Sequence, residues 1–472
     1  MSLLGNLRGL LLTRILSQGG TLLLITYLTR QYDPDALGLY FLFTSLLGLT
    51  AIAAALGTSG AAEKYISEGD DRDTWYSTGL VLTVVFAFVV AGLIIPVNRV
   101  LDILPGEIAI LMLAALPVNR LSSFFRHVLR GEQRASLTGY LQAGRVGTFA
   151  VLAVLVVSFD YSAKLIIVSS ILAQFATLPP SIYFVNRTFS MPSLEVAYEL
   201  LDYGKFYIID VIGSKIYYLA DVAILGILVG THAVGRYEVA WRIILAAMML
   251  NGIITRTAFA YISEAASQGD DADVSRYLRT CLIYVFIVPF GLSVGAIFLG
   301  SDLINVLFTA DYATDIPLLP ILGLGFVFQS AYFTFSRALF AMDHPWVAMW
   351  PTLIGIVTNL GLNVVLISGF GILGAAIATT GSYAVIAVAY YRLLKQRTTF
   401  DTPLKLIAFQ ATGALVMGAS LMILENVHPS GTLWWRLIDL GLGGAIYLAW
   451  QMVHPVNRDA LLDLFGFRDP SL

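Results

Sequence analysis

The chain has 472 residues, 58% of them hydrophobic and 12% charged, with a mean hydropathy of +0.79. Soluble proteins carry roughly a quarter charged residues, so a soluble globular enzyme is excluded and lipid is the solvent for most of the chain. Twenty-eight Lys and Arg against 31 Asp and Glu leave a formal net charge of −3, which gives no basic footprint for nucleic acid.

A helical crossing needs about 20 apolar residues and, with short loops, uses about 30–35, so a chain of this length holds about fourteen. In chain order the apolar runs predict spans at 8–29, 37–59, 77–97, 107–127, 138–158, 164–186, 204–229, 236–260, 278–299, 317–339, 347–368, 372–393, 405–424 and 433–452. Span 1 is expected to be retained, because the pattern starting at Leu3 is interrupted by Arg8 and Arg14 and offers no small-residue cleavage site. Pro192–Tyr203 and Ala460–Phe467 read as helices lying along the inner interface. Between Pro345 and Tyr391 there is no Asp, Glu, Lys or Arg, yet this stretch is about twice the length of one crossing. Gly369-Phe370-Gly371 supplies the turn that divides it. The one cysteine, Cys281, lies in an apolar run and reads as packing.

Short-loop Lys and Arg prefer the cytoplasm. With the N-terminus inside, sixteen such cations fall on the cytoplasmic side and four outside (Arg30, Arg99, Lys164 and Arg236), which puts both termini in the cytoplasm and makes the number of spans even. The connections leave no room for a soluble catalytic domain. The histidines lack metal-ligand spacing, and there is no phosphate-binding loop followed by Lys, so no cofactor is expected.

Two passages of the chain repeat. Ala36-Leu37-Gly38-Leu39-Tyr40 is echoed by Ala233-Val234-Gly235-Arg236-Tyr237, Tyr65-Ile66-Ser67-Glu68 by Tyr261-Ile262-Ser263-Glu264, and Gly69-Asp70-Asp71 by Gly269-Asp270-Asp271, at offsets of 197, 196 and 200. Six crossings fit within that offset, so the halves insert in the same orientation and relate by an axis along the membrane normal. The expected fold is all-α and polytopic, with an N-lobe of spans 1–6 (1–190), a C-lobe of spans 7–12 (191–398) related to it by a pseudo-two-fold, and two additional spans with a short tail (399–472). Parallel repeats of this kind suit a transporter that holds its substrate between them.

Tyr32 and Pro34 ahead of the first motif resemble the corresponding loop of the Wzx-type polysaccharide flippases. So do Asp221 before Ile224-Leu225-Gly226, the run Val234-Gly235-Arg236-Tyr237-Glu238-Val239-Ala240, and the passage from Asn363 through Ser368-Gly369-Phe370-Gly371 to Thr379. The resemblance covers essentially the whole chain and implies membership of the superfamily of multidrug/cation antiporters and lipid-linked oligosaccharide flippases. Spans 13 and 14 favour the flippase branch. Its implied partners are a glycan on a polyprenyl phosphate or diphosphate and the surrounding lipid of the cell membrane, with the chain acting as a monomer and turning the glycan outward. The alternatives are a drug or cation antiporter and, from another class, a membrane glycosyltransferase or ligase using the same carrier; an Na+ or H+ gradient is the candidate energy source.

A charge at mid-bilayer costs about 2.5–3.5 kcal/mol on insertion scales, so it needs a partner or a wet cavity. Arg14, Arg120 and Arg145 fall at similar depth in spans 1, 4 and 5 and would form a positive cavity for a phosphate, unless they snorkel to headgroups. Lys215 near the middle of span 7 and Arg256 deep in span 8 are further substrate-binding candidates. Asp210 and Asp221 share one face of span 7, with Lys215 over roughly 100° away. These two acids are candidates for coupling or charge pairing, as are Glu238 and Arg242, spaced i,i+4. Arg126, Arg130 and Arg134 read as a basic run facing anionic lipid.

Overall fold

The computed structural model describes residues 17–69, 71–157, 162–313, 317–342, 345–427 and 433–464. Among the described residues there is no β-strand, because a chain in hydrocarbon must satisfy its backbone groups internally and the helix does so within one segment. The chain divides into two compact units, Met1–Gly235 and Arg236–Leu472.

In the first unit α1 (17–28) leads into α2 (Pro34–Ala55), capped by Asp33, whose carboxylate accepts the Ala36 N–H at 2.8 Å. Leu56 and Gly57, both left-handed, separate α2 from α3 (Thr58–Glu68). There follow α4 (Arg72–Leu101), α5 (Gly106–Gly131) and α6 (Ala135–Val157). Span 6 is broken at Thr177 into α7 (Ala163–Ala176) and α8 (Leu178–Phe184), where Pro179 and Pro180 cannot donate backbone hydrogen bonds to the preceding turn. The expected interface helix at 192–203 is instead the first turns of α9 (Leu194–Leu228), capped by Ser193. At 35 residues α9 is about 50 Å long, more than the roughly 30 Å hydrocarbon core, so one end stands clear of it.

One core joins Leu42, Phe43 and Leu47 of α2 to Met112 and Leu116 of α5 and Ile167 of α7; a second joins Ile66 of α3, Phe124 and Val128 of α5 and Leu200 of α9. The seventh span therefore belongs by repeat to the second half of the chain and packs in the first unit. On α4, Val85, Phe88, Val89 and Leu93 are exposed, as expected of a face turned to lipid.

The packing explains the repeated motif. A Cβ added to Gly38 on α2 would lie 1.8 Å from the Thr231 carbonyl oxygen, and one added to Gly235 would lie 2.1 Å from that of Pro34. The corresponding glycines of the two passages thus sit where α2 and residues 231–235 meet backbone to backbone. Gly57 (φ 74°) likewise approaches Gly204 of α9, with only 2.0 Å from a built Cβ to the carbonyl oxygen.

The second unit holds most of α10 (Thr231–Ser267), then α11 (Asp271–Leu307) and α12 (Leu318–Ala341). In the 51-residue helical stretch α13 (Pro345–Lys395), Gly371 (φ 56°, ψ −130°) interrupts the helix and makes it two crossings, as its glycine-flanked turn predicts. The added spans, α14 (Leu404–Val427) and α15 (Leu433–Val453), pack on α11: Tyr447 donates to the Ile287 carbonyl at 2.7 Å and Gln410 to that of Ile283 at 2.9 Å. Cys281 is buried, as its apolar surroundings in sequence predict.

Candidate functional site

Helix α5 carries a polar stripe, Asn119, Ser122, Ser123, Arg126 and Arg130, at offsets of three, four, seven and eleven, which place these residues on one face. Arg120 stands beside it and is 5% exposed. Its Nη2 donates to Ser59 Oγ of α3 at 2.8 Å, while its Nε has no acceptor. Arg126 donates from Nη1 to Ser122 Oγ at 2.7 Å, and Ser122 lies 3.4 Å from the Thr177 hydroxyl at the α7–α8 break.

Arg126 lies within electrostatic range of Arg145 on α6 and of Arg130 and Arg120; Lys215 on α9 lies within range of Arg126, Arg120 and Arg130. Four cations from three helices, Arg120, Arg126, Arg145 and Lys215, therefore share one region of the first unit. Among the described residues none of the four has a carboxylate at ion-pair distance. Like charges sharing one region repel, so such a group is held together by the fold and invites an anion. On α9, Lys215 is exposed and Asp221 is buried.

Arg130 is neutralised. Its Nε and Nη2 donate to the Glu63 carboxylate at 3.0 and 2.9 Å, and His127 Nδ1–H donates to the same group at 2.6 Å. Burial pushes the Glu63 carboxyl up, but the hydrogen bonds from His127 and Arg130 outweigh it and hold the group below the usual carboxylate range. A depressed carboxyl stabilises the fold at any pH above its unfolded value of about 4.3, and that contribution disappears as pH falls through the lower folded value. Glu63→Gln is therefore expected to cost about 1–2 kcal/mol at neutral pH, with the difference from the parent closing below about pH 4, read as thermal unfolding in detergent across pH.

The basic run read from sequence does not act as one surface. Arg126 belongs to the cationic group and Arg130 to Glu63. Arg134 lies past the helix end, where Gln133 is left-handed, and donates to the Phe184 carbonyl at 2.5 Å. Arg14 lies outside the described residues, as does the side chain of Asp210. Arg256 is exposed on α10 in the second unit, and Glu238 and Arg242 form the expected i,i+4 pair at 2.8 Å, also in the second unit. Among the described residues no group of three His, Cys, Asp or Glu could hold a metal. What the sequence reading missed is Arg126 as a member of the cluster, although the polar stripe on α5 marked it.

The family model described as polysaccharide biosynthesis protein matches residues 3–266, more than half of the chain. The chain belongs to this family. The family resemblance read from the loop motifs is borne out, and a second family model, MatE, matches residues 207–365. The "Probable low-salt glycan biosynthesis flippase Agl15" of Haloferax volcanii is 27% identical over 96% of this chain and 97% of its own length. The "Probable flippase AglR" of the same organism is 28% identical over 86% of each chain. Among solved structures, "Lipid II flippase MurJ, inward closed conformation" matches with a TM-score of 0.76 at 16% identity, covering 98% of this chain and all of that one. An inward-facing MATE transporter matches with a TM-score of 0.65 at 17% identity, covering 81% of this chain and 94% of its own. These two likenesses establish the fold: an all-α, polytopic transporter fold shared by MurJ and the MATE proteins.

Proposed function

We propose that this protein is a flippase that moves a polyprenyl-(di)phosphate-linked oligosaccharide from the cytoplasmic to the outer leaflet of the cell membrane. It has both termini in the cytoplasm and works as a monomer by alternating access. The observation that carries this reading is the group Arg120, Arg126, Arg145 and Lys215, four cations without carboxylate partners among the described residues, the three arginines on helices long and apolar enough to cross a membrane. Guanidinium groups hold phosphate oxygens bidentately and an ammonium adds a mobile point charge, so the cluster matches the part of such a substrate that resists entering lipid. The Haloferax relatives, named as a glycan biosynthesis flippase and as a flippase, support flipping in glycan assembly.

Asp221, buried on α9, is the proposed site for a coupling proton or Na+, with Asp210, eleven residues earlier in the sequence, proposed beside it from helical spacing. Arg14 and Arg256 are proposed as further contacts along the path. The MatE match over 207–365 favours a second reading, a multidrug or cation antiporter; four unneutralised cations repel cationic drugs and speak against it.

The test is genetic and chemical. Cells lacking the gene are expected to lose surface glycan and to accumulate carrier-linked oligosaccharide in the inner leaflet, read by lipid mass spectrometry. Normal surface glycan with no accumulation overturns the proposal.

A further inference from the structure

A second group of arginines lies apart from the cationic cluster. A cavity of about 690 Å³ opens between the start of α4, the α5–α6 turn and the segment joining α8 to α9, and Arg72, Arg134 and Arg187 line it together with Glu132. The joining segment is fastened along α4: Thr188 Oγ1 donates to Asp73 at 2.5 Å, Ser190 N to Ser77 Oγ at 2.8 Å and Ser193 N to Thr78 Oγ1 at 3.1 Å. The cavity wall is therefore built rather than incidental.

Its charges do not balance. Arg187 donates to Glu132 at 2.8 Å and lies 3.5 Å from Asp73, and Arg134 lies 3.8 Å from Glu132, so both carboxylates are already engaged. Arg72 has no carboxylate at ion-pair distance among the described residues, and its Nε is buried without an acceptor. Three guanidinium groups against two carboxylates leave one positive charge at the cavity. A phosphate oxygen in the cavity would accept a charge-assisted hydrogen bond from the Arg72 guanidinium and offset that excess charge.

The surroundings decide which phosphate. Tyr183 is 82% exposed at the cavity, and on the adjoining segment Met191 is 89% and Leu194 91% exposed. Apolar side chains that far out of the protein are stable where acyl chains cover them, and cations just beside them then sit at headgroup level.

We infer that this cavity binds the phosphate of an anionic phospholipid headgroup, with Arg72 as its principal contact and Arg134 as its second. The inference is independent of the translocated substrate. The full chain, purified in a neutral detergent, is titrated with dioleoylphosphatidylglycerol, dioleoylphosphatidylcholine and inorganic phosphate, and bound lipid is counted by native mass spectrometry.

Phosphatidylglycerol is expected to bind in preference to phosphatidylcholine, and Arg72→Gln to weaken it about tenfold, the loss of one charge-assisted contact. Arg134→Gln is expected to act in the same direction and carries the test if the first variant fails to fold. Unchanged phosphatidylglycerol affinity in a folded Arg72→Gln protein, or equal binding of the two lipids, overturns the inference. Complete displacement of phosphatidylglycerol by an equal concentration of inorganic phosphate overturns the lipid source.

Discussion

Arg120→Gln is expected to cut translocation of the lipid-linked glycan about tenfold or more while leaving the fold as stable as the parent, or more so. Arg120 is 5% exposed, gives one hydrogen bond to Ser59, and keeps a buried Nε without an acceptor. A charge buried without a counter-ion costs several kcal/mol of desolvation, so a neutral side chain that can still donate to Ser59 relieves the fold. The anionic substrate, by contrast, loses a charge-assisted hydrogen bond worth about 1.5–3 kcal/mol, and each 1.4 kcal/mol is a factor of ten. Flipping of carrier-linked oligosaccharide in proteoliposomes gives the rate, and thermal unfolding of the same preparation gives the stability. Arg145→Gln and Lys215→Gln are expected to lower translocation likewise with little change in stability, since Arg145 is half-buried and Lys215 exposed. A fall in unfolding temperature, with activity tracking the amount of folded protein, makes these cations structural and removes the cavity assignment.

The opposed signs matter because stability and function pull apart at such a site. Groups that serve the fold lose both when removed, as expected for Glu63, whose carboxylate neutralises Arg130 and receives His127. Groups kept for a charged substrate are retained against the interest of the fold. The α3–α5 edge and the cationic cluster are neighbours on the same helices, so one set of variants distinguishes the two roles under identical conditions.

Much of this was legible in the chain. Apolar run lengths located the nine helices that, among the described residues, are long and apolar enough to cross a membrane, because hydrocarbon admits only internally bonded helices, and the glycine-flanked turn at Phe370 divided the uncharged stretch. Arg120, Arg145 and Lys215 could be named because a cation within an apolar run is expensive wherever it occurs. Their company could not be: that Arg126 joins them, and that Arg130 is spent on Glu63, depends on α3 folding back along α5, which no local pattern encodes. The break at Thr177, where Pro179 and Pro180 follow, was not read from the apolar run 164–186, which continues across it. Nor was the continuity of α9 from Leu194, since its acidic first turns look the same whether they lie along the interface or extend the seventh span.

The repeated motif leads to the steepest steric prediction. In a helix interior Gly→Ala ordinarily gains up to about 1 kcal/mol, since alanine loses less backbone entropy. On α4, Gly92 has nothing within 4 Å of a built Cβ, and Gly92→Ala is expected to be neutral or stabilising. On α2 the same change at Gly38 places a methyl group 1.8 Å from the Thr231 carbonyl oxygen and 2.9 Å from the Gly235 nitrogen. Both are backbone atoms with no rotamer to yield, so the helix and residues 231–235 must move apart. Overpacking typically costs about 1–3 kcal/mol when side chains can adjust; Gly38→Ala is expected to exceed that range. Gly57→Ala adds a second penalty, because its φ of 74° is unfavourable for any side chain and the new methyl group meets the Gly204 carbonyl at 2.0 Å. Unfolding temperatures of the three variants in one detergent give the comparison. Equal stability of Gly38→Ala and Gly92→Ala would mean that α2 and residues 231–235 do not meet backbone to backbone, and the steric reason for the repeated Ala-Leu-Gly and Ala-Val-Gly motifs would go with it.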